Sequence, residues 1–224
     1  MKTPFLPAVI AIVRKDLQAE LRSRELLSSM LMFALLSVLI FSFALELDRL
    51  ARQEVVSGVL WVTVVFASIL GLNRSLASER EGGSFDALLL APVDRAAVFF
   101  GKLVGNFIFA LVVGVLLLPL MSVLYNMPLL NGWLLLTLTF GTLGFSITGT
   151  LLATMTVQTR ARESLLPIVM LPVVLPVLIA AVNASTGILR AADTNWVTWL
   201  QILTSVNLIY LVLCFLLFAY VIEE

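Results

Sequence analysis

Long apolar runs alternate with short polar clusters along the whole chain, and the runs have the length of a bilayer rather than of a soluble core. Apolar segments occupy about 28–45, 55–73, 99–124, 132–157, 165–184 and 200–222, with Lys102 the one charge among them. An α-helix needs about 20 residues to cross the hydrocarbon layer, and lipid leaves backbone groups no partner outside their own helix. The pattern therefore predicts six transmembrane helices, the third and fourth long enough to tilt or protrude.

A different pattern precedes them. Over about 8–26, Ile10, Val13, Leu17 and Leu21 recur at helical spacing against Arg14, Lys15, Gln18, Arg22 and Arg24. This predicts an amphipathic elbow helix that lies along the membrane surface and turns into the first span. The apolar run stops at Arg14-Lys15 without a small-residue cleavage site, so a cleaved signal peptide is not expected. In the fifth span, Pro167, Pro172 and Pro176 each remove a backbone donor and predict a kinked or partly unwound helix. The outer segment 184–199 is mildly amphipathic and reads equally as short re-entrant helices or a connecting loop.

The one long charged and glycine-containing break is 78–94, SEREGGSFDALLLAPVD. Ser78 with Glu81 fits a capping box, Gly82-Gly83 interrupts, and Ser84 can cap a second short helix that Pro92 closes. Two short helices with a bend are expected. Phe85, Leu88 and Leu89 fall on one face with Asp86 beside them, a face suited to a groove on a partner.

Composition supports the membrane reading. Of 224 residues, 61% are hydrophobic and 12% charged, with a mean hydropathy of +1.08; the class is all-α integral membrane, read as a single transmembrane domain over 1–224. The zero net charge points to no nucleic acid. Charge distribution sets the orientation: of 14 Lys and Arg, only Arg49, Arg52 and Arg190 fall outside if the amino terminus is cytoplasmic, so both termini and the 78–94 loop are placed inside. Trp61, Trp133, Trp196, Trp199 and Tyr125 then all fall near the outer interface, where aromatic belts sit. In the fourth span Gly141, Gly144 and Gly149 allow close helix approach, and Gly101-xxx-Gly105 is a small-residue contact motif in the third.

Several chemistries are excluded. There is no histidine, hence no His-ligated zinc, no His acid/base catalysis and no histidine axial ligand to haem. Cys214 is a lone cysteine in an apolar run and reads as a buried small hydrophobe. The interiors of spans three to six lack charges, which disfavours an ion-coupled carrier. Gly101-Lys102 resembles the end of a P-loop, but the required first glycine is Ala96; the pair reads as a helix start. With no ATP site in the chain, it is read as no enzyme, and any energy comes from another subunit. The 78–94 loop is the natural docking place. The second cytoplasmic loop, 158–164, offers Arg160, Arg162 and Glu163 as a further contact, or as a positive-inside anchor.

The pattern Glu79-Arg80-Glu81, Gly83-Ser84, Asp86, Leu88-Leu89 and Pro92-Val93 resembles the E-R-E-x-G-T-x-E-x-L-L-x-x-P-V signature of ABC-2-type transporter permeases. The departures are Ser for Thr, Asp for Glu, and the extra Gly82. The wider blocks RKDLQAELRSRE, ASILGLNRSLASEREGGSFDALLLAPVDR and FFGKLVGN resemble the haem exporter protein B family, the permease of bacterial cytochrome c maturation. The resemblance implies that Glu79, Arg80, Glu81, Gly83, Ser84, Phe85, Asp86, Leu88, Leu89 and Pro92 form a coupling helix on a cytoplasmic CcmA-like ATPase that holds the ATP. It further implies a homodimer in the inner membrane, CcmC-like and CcmD-like partners, and delivery of haem to a periplasmic CcmE-like chaperone. Lacking histidine, the chain offers only thioether or thiol axial-ligand candidates such as Met121, Met127, Met155, Met170 and Cys214, read as lipid- or core-facing, so haem is expected as a handled species and not as a stably bound cofactor. Two other readings share features of the sequence: an ABC-2 permease for a lipid, polysaccharide or drug, and a non-transporting scaffold that recruits the ATPase and haem-handling subunits.

Overall fold

The computed structural model describes residues 4–45, 49–81, 93–156, 162–190 and 195–221; the side chains of 49–54, 79–81, 156, 162–164 and 219–221 lie outside that description. Among the described residues there are seven α-helices and no strand: α1 Phe5–Ser23, α2 Glu25–Ala44, α3 Arg49–Glu81, α4 Arg95–Tyr125, α5 Gly132–Thr156, α6 Arg162–Arg190 and α7 Trp196–Val221. The last six are each long and apolar enough to cross a membrane, in agreement with the six expected spans.

The spans are not equivalent. α3 and α5 are 72% buried along their membrane windows, against 22% for α2 and 17% for α7, so α3 and α5 form the centre and α2 and α7 the rim. α3 packs on α2, α4, α5 and α6, and α5 packs on α3, α4, α6 and α7.

The central position of α5 is compatible with its hydroxyls because they are spent internally. Thr142 Oγ1 donates to the Leu138 carbonyl at 2.8 Å, Ser146 Oγ to Thr142 at 2.8 Å and Thr154 Oγ1 to Leu151 at 2.7 Å, a pattern that satisfies buried polar groups without another helix. Its glycines receive neighbours. The Trp61 ring lies against the Cα of Gly141, where any side chain would collide, and the Asn207 amide of α7 lies over Gly144 and donates to the Phe140 carbonyl at 2.8 Å.

Four local expectations are corrected. α3 continues through Ser78 to Glu81, so Ser78 is an interior helical residue and not the cap of a new helix; the membrane helix carries on into the polar segment. α6 stays helical through Pro167, Pro172 and Pro176, so the helix is not unwound there. The Tyr210 hydroxyl of α7 donates to the Val173 carbonyl at 2.8 Å within this stretch. Residues 184–190 extend α6 to Arg190 and α7 begins at Trp196, which leaves no long outer segment to re-enter; residues 191–194 lie outside the description. Trp61 belongs to the core and not to the interfacial belt: it is 1% exposed and its Nε1 donates to Ser185 Oγ at 2.9 Å. Trp133, half-exposed, and Trp196 do meet as a tilted pair, ring centroids 4.9 Å apart, at the start of α5 and α7.

Candidate functional site at the charged end of the bundle

α1 meets α4 where small residues leave room. Ile12 and Asp16, one helical turn apart, sit over Gly101 and Gly105, also one turn apart. A methyl on Gly101 would approach Ile12 Cβ to 2.8 Å, and Asp16 Oδ2 lies 3.5 Å from the corresponding position at Gly105. The small-residue motif of this span is thus used, by the elbow helix.

That close approach brings Asp16 to Lys102. Lys102 Nζ donates to Oδ1 at 3.2 Å and Oδ2 at 3.0 Å, with the two side chains only 9% and 12% exposed. Lys15 adds a contact to Asp16 Oδ1 at 3.3 Å from a more exposed position. Lys102 is therefore no helix start. α4 begins at Arg95, where Asp94 caps it by accepting the Ala96 N–H at 3.0 Å, and Lys102 lies two turns further in.

A small apolar cluster beneath the pair reinforces it: Ile12, Val98, Phe99, Leu103, Ile147, Leu151, Cys214 and Phe218. Phe5 of α1 meets Phe100 edge-on at 6.0 Å, and Phe99 packs on Phe218 at 5.0 Å. Cys214 fills this cluster as a buried hydrophobe, as its apolar neighbours in sequence imply.

The turn from α1 into α2 is fixed by a second carboxylate. Arg24 adopts the left-handed conformation, φ 55°, between the helices. Glu20, 6% exposed, accepts the N–H of Leu26 at 3.2 Å and of Leu27 at 2.8 Å. These are donors that the first turn of α2 leaves unsatisfied, and the negative charge sits favourably at the helix amino terminus. Asp16 and Glu20 thus carry the same charge and do different work: one ties α1 to α4, the other ties α1 to α2.

Between these ties and the end of α3 opens a cleft of about 480 Å3 lined by Lys15, Asp16, Glu20, Glu25, Arg74 and Ser78, with Phe109 among its apolar residues. Arg74 and Glu25 face each other across it at 3.7 Å, both more than half exposed, a separation and exposure at which an ion pair contributes little. Among the described residues no group of three or more Cys, Asp or Glu gathers as a metal site.

Of the residues singled out by sequence, Glu79, Arg80 and Glu81 form the last turn of α3, their side chains outside the description, and Gly83, Ser84, Phe85, Asp86, Leu88, Leu89 and Pro92 lie outside the described residues. Arg160 also lies outside, and Arg162 and Glu163 open α6 without described side chains. Asp16 and Glu20 were not singled out, and Lys102 was noted only as part of a supposed helix start. The elbow periodicity marked Ile10, Val13, Leu17 and Leu21, whereas the face turned to the bundle carries Ala8, Ile12, Asp16 and Glu20. The available signal was an i, i+4 pair of acids in a helix facing a Gly-xxx-Gly strip that contains a lysine.

The fold and this end of it define an integral membrane permease of six spans with an elbow helix. Residues 7–223 match the model of the family described as CcmB protein, and the chain belongs to that family. It is 32% identical to "Heme exporter protein B" of Rhodobacter capsulatus over 75% of this chain and 78% of the relative. Against the protein of that name from Pseudomonas aeruginosa the identity is 29% over 84% of both chains, and against that of Paracoccus denitrificans 27% over 91% and 93%.

Proposed function

We propose that this chain is the membrane permease subunit of a haem-delivery assembly for cytochrome c maturation, driven by ATP hydrolysis on a partner subunit. The family match over residues 7–223, with relatives named as haem exporters, carries the proposal. On this reading the charged end faces the cytoplasm of a bacterial inner membrane, and residues 78–94 dock on the ATPase. A second copy of the chain, CcmC-like and CcmD-like proteins and a CcmE-like chaperone complete the assembly.

What supports coupling at this end is its mechanical continuity. Residues 82–94 connect the end of α3 to α4. α4 is bound to α1 through Asp16–Lys102, and α1 to α2 through Glu20. A displacement applied between α3 and α4 is thereby shared with the elbow and the first span. Haem is written here as cargo. Firm haem binding ordinarily uses an axial ligand, and the chain has no histidine to supply one, which favours passage or mechanical release over storage.

The test uses the purified assembly in lipid. Phe85→Asp should abolish retention of the ATPase subunit, while Glu81→Ala should retain it and lose ATP-driven release of haem-loaded chaperone. If both variants assemble and release normally, the coupling role of 78–94 is wrong. Following bound haem by absorbance during turnover separates translocation, in which haem appears on this subunit, from mechanical release, in which it never does.

A further inference from the structure

The outward face of α1 carries two adjacent stripes. Leu6, Ile10 and Leu21 are 68%, 63% and 73% exposed, and beside them Arg14, Lys15, Gln18 and Arg22 stand in the open. The basic stripe borders a shallow trough of about 720 Å3 whose lining contains three cations and no carboxylate. This differs from the cleft on the other side of the helix, where Lys15 and Arg74 are mixed with Asp16, Glu20 and Glu25. The acids of α1 are turned inward and already engaged, Asp16 by Lys102 and Lys15, Glu20 by the α2 backbone. Among the described residues Arg14 and Arg22 hold no ion pair.

We propose that this face is a docking surface for anionic phospholipid, with headgroup phosphates on Arg14 and Arg22 and acyl chains over Ile10 and Leu21. Two observations choose lipid over a soluble acidic partner. The exposed apolar residues lie beside the cations on one helix surface, an arrangement complementary to hydrocarbon beside phosphate. The helix also runs directly into α2, whose own outward residues Met32, Leu36 and Ile40 are exposed for lipid contact. An amphipathic helix with flanking Arg lies at the headgroup boundary, and guanidinium groups pair with phosphate in a bidentate geometry. The reading stands apart from the haem-delivery proposal, since it concerns the membrane and not the cargo.

The experiment is native mass spectrometry of the full chain taken from mixed micelles containing equal phosphatidylglycerol and phosphatidylcholine. The wild-type chain should retain phosphatidylglycerol preferentially, and Arg14→Gln/Arg22→Gln should lower that preference roughly tenfold to thirtyfold. Both positions are exposed, so folding should be kept, which the elution profile checks. An independent measurement needs no variant: raising salt in the micelle mixture should erode the wild-type preference, because headgroup attraction at a surface is screened. No preference in the wild-type chain, or one that survives both the double variant and high salt, overturns the proposal. So does inorganic phosphate binding with equal affinity in the absence of lipid, which would make the site a free-anion site.

Discussion

Lys102 reaches both oxygens of Asp16, at 3.2 and 3.0 Å, from a position on α4 that is separated from Asp16 by 86 residues of chain. The pair is almost enclosed. Breaking a buried pair by deleting one partner costs about 3–5 kcal/mol, while an apolar replacement of both is often neutral. The expected order of stability in SDS titrations is therefore wild type close to Asp16→Leu/Lys102→Met, with each single variant below both. Equal stability of all four would show that the pair contributes nothing.

Glu20→Ala should loosen the bend locally. A lost amino-terminal cap costs about 1 kcal/mol, up to about 2, and the amides it held belong to Leu26 and Leu27. Hydrogen exchange should accelerate at those two amides while the α4 amides near Lys102 stay protected. Acceleration at both places would mean that the elbow moves as one piece with α4.

Gly101→Ala should destabilise by about 1–3 kcal/mol, the usual range for overpacking, because the new methyl meets the branched Ile12 side chain at 2.8 Å. Ile12→Ala clears that space at a cost of its own. A double-mutant cycle should give a favourable coupling between the two; additive effects would place the clash elsewhere.

Ser185→Ala should cost more than the loss of one hydrogen bond suggests. It strands the Trp61 Nε1–H in a site 1% exposed, and an unsatisfied buried donor costs about 1–3 kcal/mol. Chemical denaturation followed by tryptophan emission checks it. A change below half a kcal/mol would indicate that the indole finds another acceptor.

The six spans were legible because run length and charge boundaries are one-dimensional properties, and the bilayer turns them directly into helices. Partnership between faces was not. Periodicity marked Ile10 and Leu21 as the apolar stripe of an elbow lying along the membrane surface, and they do stay exposed; what it could not mark is the face the bundle takes, Ala8, Ile12, Asp16 and Glu20, because two of those four are acids. Trp61 was read as an interfacial anchor from its place in sequence; its burial depends on Gly141 and Ser185, both far along the chain. The prolines of α6 suggested a kinked or partly unwound helix, and the helix runs on through all three; Ser78 offered a cap signal inside a helix that continues past it. The coupling residues from Glu79 to Pro92 were named on resemblance, and their docking role rests on the proposed function.

The two carboxylates of α1 also differ in when they can act during synthesis. Glu20 needs only amides six and seven residues ahead, so the bend can be set almost as soon as this stretch leaves the ribosome. Asp16 must wait until α2, α3 and the first turns of α4 have been made, holding Lys15 as its local counter-charge in the meantime. The direction of the elbow is an early local decision, and its attachment is a late one that reports the correct arrival of α4.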